Sequence, residues 1–195
     1  FRWAGVTAAA VHAPNATLFL NAHPKEMFRE PFYRSIALLR AMLPTASLVV
    51  EVHESAVTHI DDVRAMSDRL AGYGVQFAYD DFGAGQARLL ELAEAPPHVV
   101  KFDMGLIRGL DHASSKKQQL VAQLVNIVHD VGSTALAEGV ETAGEAACCA
   151  QMNFDLIQGY WTGRPVSGEA IGQYHEHYVS PQMAALVPTV GNDGS

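Results

Sequence analysis

Two adjacent carboxylates, Asp80 and Asp81, end the apolar run Val75–Tyr79, and Phe82-Gly83-Ala84-Gly85 follows at once. An apolar run of this length reads as a buried strand, and Gly-x-Gly reads as the turn that ends it. Neighbouring like charges repel unless a cation lies between them. On a regular strand the two side chains would point to opposite faces. Sharing one cation therefore requires them to sit where the strand is already unwinding into its loop. That is the geometry of a metal site at a strand end. Taken alone, the same stretch is equally a turn with two solvated aspartates, because Asp and Gly are ordinary turn formers.

The residues around it weigh on that choice. Asn21, Glu51, Lys101, Glu138 and Gln158 each follow, or fall at the end of, a short apolar run. Asn21 offers an amide oxygen, and Glu51, Asp80 and Asp81 offer hard anionic oxygens. Such a set suits Mg²⁺ or Mn²⁺ better than a thiophilic metal. None of the nine histidines has zinc-ligand spacing. His53 shares a strand face with Glu51 and reads as a packing or loop residue, with a supporting role at the site as the alternative. If Asp80 bridges two ions, the set fits a two-metal phosphodiester hydrolase, with Glu138 as general base and Lys101 orienting the water or the phosphate. The competing reading of Lys101 is a buried ion pair with Asp103 or Glu141.

Positioning these groups needs strands that alternate with helices. Helical composition covers Phe1–His12. Strand Thr17–Leu20 is followed by a helix from about Pro31 to Met42 and by strand Leu48–Val52. A helix capped by Asp61 or Asp62 buries Val63, Met66 and Leu70. After the strand ending at Asp80 come helix Ala87–Ala93 and strand Val99–Phe102. The strongest helix is capped by Ser114 or Ser115, with Leu120, Val121, Leu124, Val125 and Val128 apolar. Strand Thr134–Ala137, an Ala-rich helix capped by Thr142, strand Phe154–Ile157 and a helix from about Gly168 to Tyr178 complete the chain. Such alternation predicts parallel strands with crossover helices. An open doubly wound sheet would spread six polar strand ends too widely, whereas a (β/α) barrel gathers them at one mouth. The expectation is thus a TIM-like barrel of about six strands, two short of the usual eight, over residues 1–180, with a frayed tail over 181–195.

The composition agrees. In 195 residues, 49% are hydrophobic and 17% charged, enough for a real core and unlike a disordered chain. The net charge of −8 argues against a non-specific polyanion binder, DNA included, and leaves room for a phosphate-bearing ligand bridged by metal. Cys148 and Cys149 are adjacent, poor geometry for an intrachain disulfide, which favours a reducing cytosol. No apolar run reaches membrane-span length. The chain begins at Phe1, so it reads as part of something longer: cytoplasmic, or the cytoplasmic part of a membrane-anchored protein.

Asp80-Asp81-Phe82-Gly83-Ala84-Gly85, Lys101-Phe102-Asp103, Ala137-Glu138-Gly139-Val140-Glu141-Thr142 and Gln158-Gly159-Tyr160 occur in that order, preceded by Asn21-Ala22-His23-Pro24 and Glu51-Val52-His53-Glu54-Ser55. Together, over Leu18–Pro165, they closely resemble the EAL family of cyclic-di-GMP phosphodiesterases. The resemblance implies a modified (β/α)8 barrel and Mg²⁺- or Mn²⁺-dependent hydrolysis of cyclic di-GMP to linear pGpG. It matches Asn21, Glu51 and Asp80 to ligands of a first metal, and Asp80 and Asp81 to ligands of a second. Glu138 matches the base or a second-metal carboxylate, Lys101 the lysine beside the water, and Gln158 the glutamine that positions it. Glu54 matches a glutamate bracing the loop after Asp81, while Asp103, Glu141 and Pro165 match pocket-lining positions. It further implies a homodimer and an accompanying sensory or synthase domain.

Three departures stand out. The Glu-Ala-Leu tripeptide is absent, and with it a first-metal ligand and the first barrel strands. Ala84 replaces the loop threonine usual after Asp-Asp-Phe-Gly. Met104 and Asn153 replace a commonly polar residue and a glycine. Ala84 and the missing first-metal ligand keep open a second reading, a degenerate member that senses the nucleotide or binds a partner without catalysis. A different barrel enzyme acting on another phosphate ester is the third.

Overall fold

The computed structural model describes residues 2–12, 15–53, 59–84, 89–167 and 170–171. Among the described residues, six strands form one sheet in chain order, every neighbouring pair parallel: β1 Thr17–Asn21, β2 Ser47–His53, β3 Gln76–Phe82, β4 Val99–Phe102, β5 Thr134–Glu138 and β6 Leu156–Gln158. A doubly wound sheet would reverse its strand order part-way. Unbroken sequential order is the arrangement of a (β/α) barrel, here an arc of six strands with β1 and β6 as its edges. The helices are α1 Arg2–His12, α2 Glu30–Met42, α3 Ile60–Gly72, α4 Leu89–Glu94, α5 Met104–Ile107, α6 Ser115–Asp130 and α7 Ala143–Gln151.

Strand parity sorts the side chains into two layers. Val50, Val52, Phe77, Tyr79, Val100, Phe102, Ala135 and Ala137 face outward into the main core, against Ile36 and Leu39 of α2, Val63, Met66 and Leu70 of α3, and Val121, Val125 and Val128 of α6. The intervening residues Val49, Ala78, Val99 and Leu136, with Phe19 packed on them, form a second cluster on the inner face. One step further along the strands, the inner face turns polar, at Asn21, Glu51, Asp80, Lys101, Glu138 and Gln158. Inward-facing layers of this kind fill a barrel and leave its C-terminal mouth for chemistry.

Local signals explain most boundaries. Pro31 falls in the first turn of α2, where its missing N–H costs nothing. Ser114 caps α6 by accepting from the Lys117 backbone N–H. Thr142 and Glu145 form a capping box at the start of α7. Asn153 takes a left-handed φ of 60° after α7, as its short polar side chain permits.

Four expectations need correction. His59, not Asp61 or Asp62, occupies the cap position of α3; the two aspartates lie in its first turn, where the helix dipole favours them. Leu120 is 54% exposed, because the buried face of α6 runs through Val121, Val125 and Val128. β2 continues two residues past Glu51, to His53. The last strand is Leu156–Gln158, and Phe154 instead packs its ring edge-on against Phe102. Cys148 and Cys149 are buried free thiols. The expected final helix falls outside the described residues except for 170 and 171, and the expected tail falls wholly outside them.

At the opposite, N-terminal rim, Arg40 of α2 acts as a clamp. Its guanidinium donates to the carbonyls of Leu43 (2.9 Å), Ala46 (2.8 Å) and Pro44 (3.3 Å) ahead of β2, and to Tyr73 (3.0 Å) and Gly74 (2.8 Å) ahead of β3. Removing a donor that satisfies part-buried carbonyls costs about 1–3 kcal/mol. Arg40→Met is therefore expected to lower unfolding stability by about that amount, read as a lower urea midpoint at unchanged m-value.

Candidate active site at the C-terminal rim

Between Tyr79 and Phe82 the β3–β4 register slips. Tyr79 pairs with Val100 and Phe82 with Phe102, so Asp80 and Asp81 together oppose Lys101. This is a β-bulge, two residues against one. Tyr79 and Phe82 both belong to the outer core, although an odd spacing should put them on opposite faces. The extra residue restores parity, and Asp81 takes a left-handed φ of 60° to achieve it. Asp is among the few residue types that tolerate that conformation. The bulge solves the problem of two adjacent carboxylates serving one site. Single oxygens of Asp80, Asp81 and Glu138 lie within 4.8 Å of one another.

Lys101 lies at the centre. Its ammonium is 2.5 Å from Glu51 Oε1, 2.7 Å from Asp80 Oδ1 and 2.7 Å from Glu138 Oε1, and the residue is 3% exposed. Burial alone would push the Lys101 pKa down, but hydrogen bonds to Asp80, Glu138 and Glu51 outweigh it and leave it raised. Burial pushes the Glu138 carboxyl above its ordinary value; Lys101 pulls it back, and the charges of Asp80 and Glu51 push it up again. The alternative pairing of Lys101 with Asp103 or Glu141 is not what forms. Asp103 caps α5, accepting from the Gly105 backbone N–H at 2.8 Å, and Glu141 pairs with Arg108.

The other candidates fall around this hub. Asn21 is in register with Glu51, and Gln158 with Glu138, each at the end of its strand. Asn21, Glu51 and Asp80 line a cavity of about 360 Å³ together with His23 and His53. His53 is not a packing residue: its Nε2 is 2.8 Å from Asp81 Oδ2. Pro165 is exposed in the segment after β6. Glu54 lies outside the described residues.

The loops carrying these groups are tied together. Glu138 is followed by Gly139 at φ 72°, where an added Cβ would sit 2.6 Å from Met104 Cβ. The Val140 N–H donates to the Gln158 carbonyl, and Gly159 approaches the Val140 backbone so closely that no side chain fits. Glu145, 5% exposed, accepts from the backbone N–H groups of Glu141 (2.8 Å) and Thr142 (3.1 Å) through one oxygen and of Gly109 (2.8 Å) through the other. It thus locks the loop after β5 to the turn after β4. Thr142-x-x-Glu145 is legible in the sequence as a capping box; the further reach to Gly109 is not.

The sequence matches the EAL domain family over residues 5–165. The chain belongs to the EAL family. Among its relatives is the bifunctional diguanylate cyclase/cyclic di-GMP phosphodiesterase MucR of Pseudomonas aeruginosa, 33% identical over 69% of this chain and 20% of MucR. The chain thus spans about a fifth of that relative. The EAL domain of Mycobacterium smegmatis DcpA superposes with a TM-score of 0.79 over 88% of this chain and 80% of that one; at 24% identity it speaks for the fold. Klebsiella pneumoniae BlrP1, in a manganese and cyclic-di-GMP complex, superposes at 0.73 with 32% identity, over 84% of this chain and 43% of that one. The six parallel strands are thus part of the family's TIM-like barrel, and the motif order marks family membership.

Two outcomes follow for the site's integrity. Removing the cation from a buried cluster leaves uncompensated carboxylates, at a cost of about 3–5 kcal/mol. Lys101→Met is expected to destabilise the protein by that amount in chelator, measured by urea unfolding. Glu145 has its carboxyl lowered: burial would raise it, but hydrogen bonds from Gly109, Glu141 and Thr142 prevail. A lowered carboxyl contributes stability above the ordinary value of 4.5 and loses it as the pH falls through the folded-state value. Wild type should therefore exceed Glu145→Gln in stability by about 1–3 kcal/mol at neutral pH, with the gap closing at acid pH.

Proposed function

We propose that this chain carries the catalytic rim of a metal-dependent phosphodiesterase that hydrolyses cyclic di-GMP to linear pGpG. The reading is carried by the bulge that brings Asp80 and Asp81 to one side, with Glu138 inside the same 4.8 Å group. The donor set is all oxygen, carboxylates with the one amide of Asn21, the chemistry that hard divalent cations such as Mg²⁺ or Mn²⁺ take. Asn21, Glu51 and Asp80 would hold one ion, and Asp80 and Asp81 the other. When bound, the ions supply Lewis acidity, lowering the pKa of a coordinated water and offsetting charge on the phosphate oxygens.

The chain's own residues do the rest. Glu138, its carboxyl raised by burial, accepts the proton of the attacking water while that oxygen bonds to phosphorus. The ribose oxygen leaves on the opposite side and takes up a proton, which opens the ring to a linear dinucleotide. Lys101 remains charged and fixes Glu51, Asp80 and Glu138 in one geometry. Gln158, level with Glu138 on the next strand, would orient the water. The likeness to MucR, a bifunctional diguanylate cyclase/cyclic di-GMP phosphodiesterase, supports a role in cyclic-di-GMP signalling.

The test uses the full-length protein with Mn²⁺ or Mg²⁺ and cyclic di-GMP, following pGpG by chromatography. Wild type should turn over, chelator should abolish turnover, and Glu138→Ala should lower kcat about a hundred- to ten-thousand-fold. Nucleotide binding without any pGpG would instead support the degenerate, sensing member. Full-rate hydrolysis by Glu138→Ala would refute the base assignment.

A further inference from the structure

Two of the three clustered carboxylates are held by Lys101, through Asp80 Oδ1 and Glu138 Oε1. Asp81 is held differently. Its side chain is 36% exposed, its backbone sits at φ 60°, and its Oδ2 meets His53 Nε2 at 2.8 Å. We propose that His53 is a positioning residue for the metal centre, its imidazole N–H fixing the Asp81 carboxylate so that the other oxygen stays turned toward Asp80 and Glu138. This rests on the metal-dependent reading above and deepens it.

Geometry separates this role from direct ligation. Among the described residues, Asp80, Asp81 and Glu138 bring single oxygens within 4.8 Å of one another; His53 is not in that group and touches it through Asp81. A carboxylate only accepts hydrogen bonds, so the facing Nε2 must carry the proton. The placement depends on β2 running two residues beyond Glu51, which sets His53 level with Asp80 in the β2–β3 register. Parity then turns His53 to the same inner face as Glu51. Groups that orient metal ligands typically change metal affinity ten- to a hundredfold when removed. A partly exposed aspartate in a left-handed backbone has more to lose from such a removal than Asp80, which Lys101 already anchors.

The test is Mn²⁺ titration by calorimetry on the full-length protein without nucleotide, for wild type, His53→Ala and His53→Gln, each also in an Asp81→Gly background. Glycine keeps the positive φ without strain. The expected result is a ten- to hundredfold weaker Mn²⁺ affinity in His53→Ala, substantial recovery in His53→Gln, whose amide can still donate, and no further loss from His53→Ala once Asp81 is gone. Equal affinity in wild type and His53→Ala overturns the role of His53 while leaving the metal reading in place. Equal weakening in both His53 variants, or an undiminished effect in the Asp81→Gly background, also overturns it. Failure of the wild type to bind Mn²⁺ overturns the metal reading and this inference together.

Discussion

Three carboxylates can share a largely buried mouth only because one ammonium lies among them. Glu51, Asp80 and Glu138 come from three strands, and each is within 2.7 Å of Lys101 Nζ. At an effective dielectric of about 20, two unit charges 4 Å apart interact by about 4 kcal/mol, so three unneutralised carboxylates would force the strand ends apart or take up protons. Lys101 prevents both, and its raised pKa keeps it charged across the physiological range. Burying that charge stabilises the fold little in net terms, because desolvation offsets much of the attraction. What it secures is geometry: the strand ends of β2, β3, β4 and β5 cannot separate without exposing a buried charge.

That constraint accounts for the bulge. A regular β3 would send Asp81 outward into an apolar core beside Tyr79 and Phe102, where an unpaired carboxylate is costly. Inserting one residue opposite Lys101 turns Asp81 to the inner face and returns Phe82 to the core. The strain of a left-handed non-glycine residue is borne at one position and offset by the Phe82–Phe102 edge contact immediately beyond it, at 5.3 Å between ring centroids. The loops then need their own restraint, since the polar groups they carry have little length of strand beneath them. Glu145 and the Val140–Gly159 approach provide it at one rim, as Arg40 does at the other.

Much of this was legible in the residues, and what was not has a physical reason. Strand–helix alternation and the polar residue ending each run gave the barrel and the gathering of Asn21, Glu51, Asp80, Lys101, Glu138 and Gln158 at one mouth. The need for Asp80 and Asp81 to leave regular strand geometry could be argued from charge alone. The device used, a bulge against Lys101, could not, because register belongs to two strands and a sequence shows one at a time. For the same reason Lys101 was open to pairing with Asp103 or Glu141, both close in motif but turned to α5 and Arg108. His53 looked like packing because its partner lies on the next strand. Arg40 gave no signal, since five carbonyl acceptors leave no trace in side-chain composition.

The charge balance of the whole chain constrains how such a site could operate. A protein with a net charge of −8, and with carboxylates concentrated at one rim, repels a dinucleotide that carries two phosphates. Lys101 cannot offset this, since its single charge is already spent on three carboxylates inside the protein. Arg108 is engaged by Glu141, and Arg164 stacks over the Tyr160 ring at 4.5 Å. An anionic substrate therefore meets a favourable field at Asp80 and Asp81 only once positive charge has been added there, and divalent cations add the most in the least space. On the proposed function, metal binding is then a condition for productive substrate binding as well as for chemistry. Ligand and cation affinities must be linked, each strengthening the other by the same factor.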